Sequence, residues 1–320
     1  MENKEQTPET ISKLLLTLNA VLVVLVVCMI FVVYLEIHKP RKKEVAVQNS
    51  TPTITSNPFN NLALGAKAVY VYDVVENKVL YKKNEFIQLP LASLTKLMMA
   101  VTAVELVPKD SGITIKKEFL REEGDTGLLA GESWKLKDLL DFSLLVSSND
   151  GARSIASVVG AFNLQTEDYT LGREDFVKRM NDKAHLLDLK QTYFVNESGL
   201  DIAGSTTSGG YGSAIDVEKL TQYILTNHPE ILEATKYQNV RVNSGSKTHI
   251  AKNTNTDVMS IPGLMASKTG YTEMAGGNLV VAFDASIGRP IIVVVLGSTL
   301  EGRFTDVSSL VKASLDYIRE

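Results

Sequence analysis

The sequence predicts an α/β domain, an antiparallel sheet with flanking helices and a mostly helical insert, preceded by one N-terminal transmembrane helix. Three observations predict it: an uncharged apolar run over residues 14–35, β-rich segments at the two ends of the remaining chain, and helical periodicities between them.

The apolar run comes first. The chain has 320 residues and a formal net charge of -4, and one segment, dominated by Val and Leu, accounts for its mean hydropathy of +0.03. A helix of about 22 residues rises about 33 Å, enough to cross a hydrocarbon core of about 30 Å. A cleaved signal peptide would have a shorter apolar core, about 7 to 15 residues, and small residues at its cleavage site. Here the run continues into Glu36, Ile37, His38, Lys39, Pro40, Arg41, Lys42 and Lys43. The expected organisation is therefore an N-terminal tail (1–13), an uncleaved single-pass anchor (14–35), a basic and polar tether rich in Ser, Thr, Asn and Pro (36–61), and a folded domain (62–320).

Within the folded domain, residues 66–74 and 78–81 are short β-rich runs around Glu76-Asn77, a plausible hairpin. Residues 92–106 have helical spacing, with Leu94, Leu97, Met98 and Val101 on one face. Two further helices are expected at 135–146 and 150–159, interrupted at Ser147, Ser148 and Asn149. Two more follow at 173–187 and 213–227. Strands return at 264–269, 278–284 and 291–296, and a last helix covers 305–318. Strands from both ends of the domain would form one sheet, with a cleft where it meets the helical insert.

Composition removes several functions. Cys28 is alone and inside the anchor, which excludes an intramolecular disulfide and a cysteine zinc site. The histidines, His38, His185, His228 and His249, have no HExxH spacing or close pairing, so no metal site is expected and each reads as a surface or capping residue. The acidic balance argues against nucleic acid as the main partner, and nothing implies a cofactor.

Three short patterns occur in order: Ser93-Leu94-Thr95-Lys96, Ser147-Ser148-Asn149 and Lys268-Thr269-Gly270. An SxxK is weak alone, and two others occur, at Ser244 to Lys247 and Ser309 to Lys312. Only the first opens a strongly amphipathic helix ahead of the other two patterns. Residues three apart on a helix share a face, so Lys96 can reach the hydroxyl of Ser93 at the helix N-terminus, where the dipole and free amides favour developing negative charge. A serine hydroxyl needs a base to become a nucleophile. Lys96 serves only if its pKa falls, and a dry pocket or a second cation such as Lys268 would lower it.

With these residues in place, the sequence resembles the serine D-Ala-D-Ala carboxypeptidases, low-molecular-mass penicillin-binding proteins whose fold is related to the serine β-lactamases and transpeptidases. Residues 69–73 with 79–81, then 89–98, look like the family's opening hairpin and nucleophile helix. Residues 194–201, Phe-Val-Asn-Glu-Ser-Gly-Leu-Asp, resemble its loop after the helical region, and 268–272 with Ala275-Gly276 its active-site strand and turn. The resemblance covers roughly residues 62–318. It implies that Ser93 attacks the terminal D-Ala-D-Ala bond of a peptidoglycan stem peptide to form an acyl-enzyme, with Lys96 as base and β-lactams as covalent inhibitors. Ser147 would relay a proton, Asn149 hold a substrate amide, and Lys268 and Thr269 receive the terminal carboxylate. Gly270 would leave the strand edge clear for an extended peptide, and the amides of Ser93 and Tyr271 would form the oxyanion hole. Arg303 resembles a family arginine that helps bind the carboxylate. Many members carry a small C-terminal β domain and an amphipathic tail; neither is expected in this sequence, and the N-terminal helix would take over the anchoring.

Three rivals share the cleft. A β-lactamase of class A type would need a glutamate in an ExxLN-like loop; Glu167 and Glu174 lie in the right stretch, but neither is followed by Leu-Asn at that spacing. A catalytically silent wall-binding protein would not require an intact Ser93, Lys96, Ser147 and Lys268. A D,D-endopeptidase differs only in the size of the acyl acceptor, and the residues do not separate it from a carboxypeptidase. Read literally, the excess of Lys39, Arg41, Lys42 and Lys43 over Lys4 and Lys13 would put the domain in the cytoplasm. The implied substrate is outside, and large domains cross largely regardless of charge, so the expectation is a cell-membrane protein with an extracytoplasmic domain.

Overall fold

The computed structural model describes residues 8–37, 57–124 and 126–319. The chain divides into two units, Met1–Thr55 and Ser56–Glu320. In the first, α1 (Pro8–Ile37) covers the apolar run and begins within the segment expected to be a tail. Its side chains at 21–34 are exposed. Among the described residues no helix is long and apolar enough to cross a membrane. Most of the expected tether, 38–56, lies outside the described residues.

The second unit opens with Phe59, which is buried, stacks on Tyr81 and meets Tyr317. Packing therefore begins a few residues ahead of position 62. The hairpin of β1 (Ala68–Asp73) and β2 (Lys78–Lys83) is followed by β3 (Leu89–Pro90), a 3₁₀ turn at Ala92–Leu94 and α2 (Thr95–Leu106). The insert then contains β4 (Gly112–Thr114), β5 (Ser133–Lys135), α3 (Leu136–Leu145), α4 (Asn149–Leu164), α5 (Tyr169–Leu186), β6 (Tyr193–Phe194), β7 (Gly210–Gly212), α6 (Ala214–Asn227), and the hairpin of β8 (Asn239–Asn243) and β9 (Thr248–Lys252). The chain closes with β10 (Leu264–Thr272), β11 (Gly276–Asp284), β12 (Pro290–Ser298) and α7 (Gly302–Arg319).

The two ends meet in one antiparallel sheet of order β10-β11-β12-β1-β2, with Ala68 opposite Leu296 and Asp73 opposite Ile291. Its strands alternate between two cores. Val69, Val71, Val281, Val293 and Val295 pack with Val307, Leu310 and Val311 of α7, while Ala68, Tyr70, Val280, Val294 and Leu296 pack with Leu97 of α2 and Leu220 of α6. A slip of one residue would exchange the two sets, so burial, at about 1.5 to 3 kcal/mol for each large side chain, fixes the register. The Asp306 carboxylate of α7 adds a polar tie, accepting from the amides of Gly65 and Ala66 and from Ser298 Oγ.

Two readings change at this level. Strands β3 to β9 are two to five residues long, too short for an alternation to be seen in the sequence. His249, expected at the surface or a cap, is buried against Trp134 and Phe142, with Nε2 2.8 Å from Glu132 Oε1. The Glu132 carboxylate satisfies Nε2 there.

Candidate active site

The three sequence patterns converge where the insert meets β10. Ser93 lies in the 3₁₀ turn, two residues ahead of α2, whereas a helix starting at residue 92 would include it. The turn is held in an uncommon shape. Ala92 has φ 47°, a left-handed conformation that a non-glycine residue keeps only when its surroundings enforce it. Leu91 N donates to Gly210 O at 2.9 Å and Asn278 Nδ2 to Pro90 O at 3.0 Å. Two glycines press on the turn: a Cβ at Gly199 would stand 1.9 Å from Ala92 O, and one at Gly270 would stand 2.9 Å from Leu91 O and 3.2 Å from Ser93 N. The missing side chain of Gly270 thus lets β10 approach the turn that carries Ser93.

Lys96 is fully buried and donates to Ser93 Oγ at 2.9 Å, Asn149 Oδ1 at 2.7 Å and Ser198 O at 2.8 Å. Burial drives its pKa down from 10.5 to about 7, while the carboxylates of Glu197 and Glu122 act in the opposite direction. Desolvation thus exceeds the attraction of the two carboxylates. Lys268, also buried, donates to Ser147 Oγ at 3.0 Å and Thr269 O at 2.8 Å. Its pKa is pushed well below the ordinary lysine value by burial first, then by Lys96 and Arg303. The second-cation effect expected at Lys96 is therefore felt mainly at Lys268.

Ser147 sits between α3 and α4 with φ 60°. Its neighbour Ser148 caps α4, accepting from Gly151 N at 3.0 Å and meeting Thr126 Oγ1 at 2.7 Å. That cap orients the turn and starts the helix with Asn149, whose amide also donates to Glu123 O at 2.7 Å. On β10, Thr269 Oγ1 lies 2.6 Å from Thr254 Oγ1. β10 is an edge strand, and Ser267 N on its outer side donates to Thr235 Oγ1 at 3.1 Å. With the two-residue alternation of a regular ladder, the amide of Tyr271 points the same way, beyond the segment that Thr235 covers. Tyr271 itself is exposed. Arg303 is buried and donates from Nη1 to Gly270 O at 2.9 Å, so it braces the strand from behind.

All nine expected site residues therefore gather in one neighbourhood, with Arg303 behind the strand. The other two SxxK patterns do not: Ser244 and Lys247 close the β8–β9 turn, and Ser309 and Lys312 lie on α7. Sequence reasoning gave no role to the loop that completes the site. Asn196 Oδ1 accepts from Gly199 N at 2.7 Å and Ser198 N at 3.2 Å, and its Nδ2 donates to Leu200 O, which holds the Ser198 carbonyl on Lys96. Beside it, the fully buried Glu197 is paired with Arg173 Nε at 2.9 Å. The signal was the resemblance over residues 194–201, which marks a segment but not the action of its groups.

A serine held against a buried lysine, with a second serine and a second lysine across the cleft and an open strand edge, defines a serine acyl-transfer site. Residues 52–299 match the family model of the D-alanyl-D-alanine carboxypeptidases. The chain belongs to that family, and it has the α/β fold of the penicillin-binding proteins. It is 29% identical over 257 residues to the D-alanyl-D-alanine carboxypeptidase DacF of Bacillus subtilis, covering 78% of this chain and 62% of DacF, less than two thirds of that relative. It is 31% identical over 225 residues to a D-alanyl-D-alanine endopeptidase of Haemophilus influenzae, covering 67% of this chain and 69% of that one. A penicillin-binding protein of Listeria monocytogenes in its ampicillin-bound form superposes with TM-score 0.66 and 30% identity, over 79% of this chain and 98% of that chain.

Proposed function

We propose that this protein is a membrane-anchored serine D,D-carboxypeptidase that removes the terminal D-Ala from peptidoglycan stem pentapeptides and is acylated by penicillins. The observation that carries the reading is the contact of Ser93 Oγ with a buried Lys96 whose pKa lies at about 7. Near neutral pH a large fraction of Lys96 is neutral. It then keeps two N–H donors, for Asn149 Oδ1 and Ser198 O, and turns its lone pair to the Ser93 hydroxyl, which becomes the donor. As Ser93 Oγ attacks the penultimate D-Ala carbonyl, its proton passes to Lys96. The developing oxyanion sits between the amides of Ser93 and Tyr271, in a type of contact worth about 3 to 4 kcal/mol per donor in other acyl-transfer enzymes. The leaving amine takes a proton from Ser147, and Lys268, kept as its ammonium by the substrate carboxylate that it binds, replaces that proton across 3.0 Å. Thr269 and Lys268 receive the terminal carboxylate and Asn149 a backbone amide, while Arg303 fixes Gly270 and adds positive charge. Water then cleaves the acyl-enzyme.

The exposed apolar surface of α1 and the uncharged run at 14–35 support a single-pass anchor, with 36–61 as tether and the catalytic domain on the extracytoplasmic side, where the polymer is. Protection of the domain from protease in intact spheroplasts would refute that orientation. For the chemistry, labelled penicillin is expected to modify the wild-type chain and not Ser93→Ala. Equal labelling of the two would end the acyl-enzyme reading. The similarity to an endopeptidase favours a second activity of the same site, and release of D-Ala from a pentapeptide measured beside cleavage of a cross-linked dimer separates the two.

A further inference from the structure

At one end of the five-stranded sheet, three loops present large apolar side chains to solvent. Val75 stands in the β1–β2 turn at 58% exposure, Ile287 in the β11–β12 turn at 104%, and Met259, at 78%, in the segment leading into β10. The two turns are side by side. Asp73 accepts from the amides of Val75 and Glu76 through Oδ1 and binds Arg289 through Oδ2. Tight turns ordinarily carry Gly, Asn, Asp or Ser, so Val75 and Ile287 contribute apolar surface that the turns do not need.

The same end receives the chain. Phe59, near the first described residue of this unit, packs on Tyr317 in the last turn of α7, whose hydroxyl accepts from Lys78 at the start of β2. The catalytic end lies opposite. β10 starts beside Asp284 and the β11–β12 turn, and Gly270, against which Ser93 packs, is about 20 Å further along the strand.

We propose that this end of the domain is a bilayer-contact surface, on which Val75, Met259 and Ile287 enter the lipid interface. The inference rests on the anchor reading above. Nineteen residues, 38–56, separate the apolar helix from this end in the sequence, and a chain of that length reaches at most about 65 Å, so a bilayer holding that helix is within reach. Singly scattered apolar residues are ordinary; three on neighbouring loops at the tethered end are placed where a bilayer is within reach. The contact is apolar rather than ionic: Arg289 is paired with Asp73, Lys312 and Arg319 with Asp316, and Lys78 donates to the Tyr317 hydroxyl. With this end down, the cleft opens away from the lipid, towards the polymer.

The test uses the full chain in a Cys28→Ala background, with Val75→Cys, Ile287→Cys or Glu273→Cys carrying an environment-sensitive fluorophore. Glu273 lies in the β10–β11 turn, at the opposite end. In phosphatidylcholine vesicles containing nitroxide lipids, labels at 75 and 287 should be quenched at least about twofold more than at 273, and replacing a third of the lipid with phosphatidylglycerol should not change this. Penicillin acylation verifies that each variant is folded. Equal quenching at all three positions, or quenching that requires the anionic lipid, would overturn the surface while leaving the anchor intact. A chain that fails to float with the vesicles would overturn the anchor and this surface with it.

Discussion

Glu197→Gln tests the electrostatic basis of the site. In the proposed reaction Lys96 must be neutral to accept the proton of Ser93, and its pKa of about 7 sets the pH at which half of it is neutral. About a tenth is neutral at pH 6 and about a hundredth at pH 5, so penicillin acylation should fall about tenfold per pH unit below neutrality and level off above it. Glu197 raises this pKa. Removing its charge while leaving a similar shape takes away an attraction for the ammonium, and it leaves Arg173 without its carboxylate partner. Both changes disfavour the charged lysine. One pKa unit corresponds to about 1.4 kcal/mol, so loss of even a screened interaction of about 0.7 kcal/mol moves the limb about half a unit to lower pH. The assay is the second-order acylation rate of labelled penicillin from pH 4.5 to 9, with thermal unfolding as a check that the variant is folded. At pH 5 the variant should be acylated severalfold more readily relative to its own plateau than wild type. A folded variant whose limb stays fixed, or moves to higher pH, would refute the assignment of that limb to Lys96.

Three more outcomes follow from contacts at and around the site. Gly270→Ala sets a Cβ 2.9 Å from Leu91 O and 3.2 Å from Ser93 N, both backbone atoms that cannot swing away, so the acylation rate should drop at least about tenfold. Asn196→Ala releases Ser198 and Gly199; acylation should fall and the melting temperature with it, by the several degrees that about 2 kcal/mol represents. Glu218, buried with Oε1 unpartnered, has its pKa raised from 4.5 to about 8 by burial. Between those values the unfolded chain binds fewer protons than the folded one, so this group lowers stability as pH rises, by at most about 1.4 kcal/mol per unit. Glu218→Gln should flatten that part of the pH–stability curve seen by thermal unfolding, with its largest relative gain above pH 8.

The helices and long strands were legible in the sequence because each buries one face over many residues. Residues 92–106 and the Val-rich segments of β11 and β12 repeat their pattern often enough to be read, and burial at both sheet faces then fixes which ends pair. The short pieces around the cleft repeat nothing. β3, β6 and β7, of two or three residues each, exist because Leu91, Phe194 and Gly210 are pinned by tertiary contacts and by their neighbours in the small sheet. The burial of His249 is invisible in the sequence for a related reason: its environment is made by Trp134, Phe142 and Glu132, more than a hundred residues earlier in the chain.

The site divides in the same way between what side chains advertise and what backbone supplies. Ser93, Lys96, Ser147, Asn149 and Lys268 carry functional groups whose spacing is visible in the sequence. Yet the groups that hold them ready are largely carbonyls: Ser198 O on Lys96, Glu123 O on Asn149, Thr269 O on Lys268 and Gly270 O on Arg303. Every residue has a carbonyl, so a sequence can reveal such a contact only through what lets the backbone come close. Here the glycines do so: Gly199 against Ala92 O, Gly210 against Thr95 and Gly270 against Leu91 O each stand where a Cβ would meet an atom within 3 Å. Two lysines in one dry pocket repel each other and lose hydration, and these fixed dipoles offset part of that cost without bringing a carboxylate into direct contact with either amine. A directly paired carboxylate would favour the charged form of Lys96 more strongly and remove the base. Glu197 pairs with Arg173 instead, so Lys96 is held in place by carbonyls and, in the proposed reaction, remains neutral enough to take the proton of Ser93.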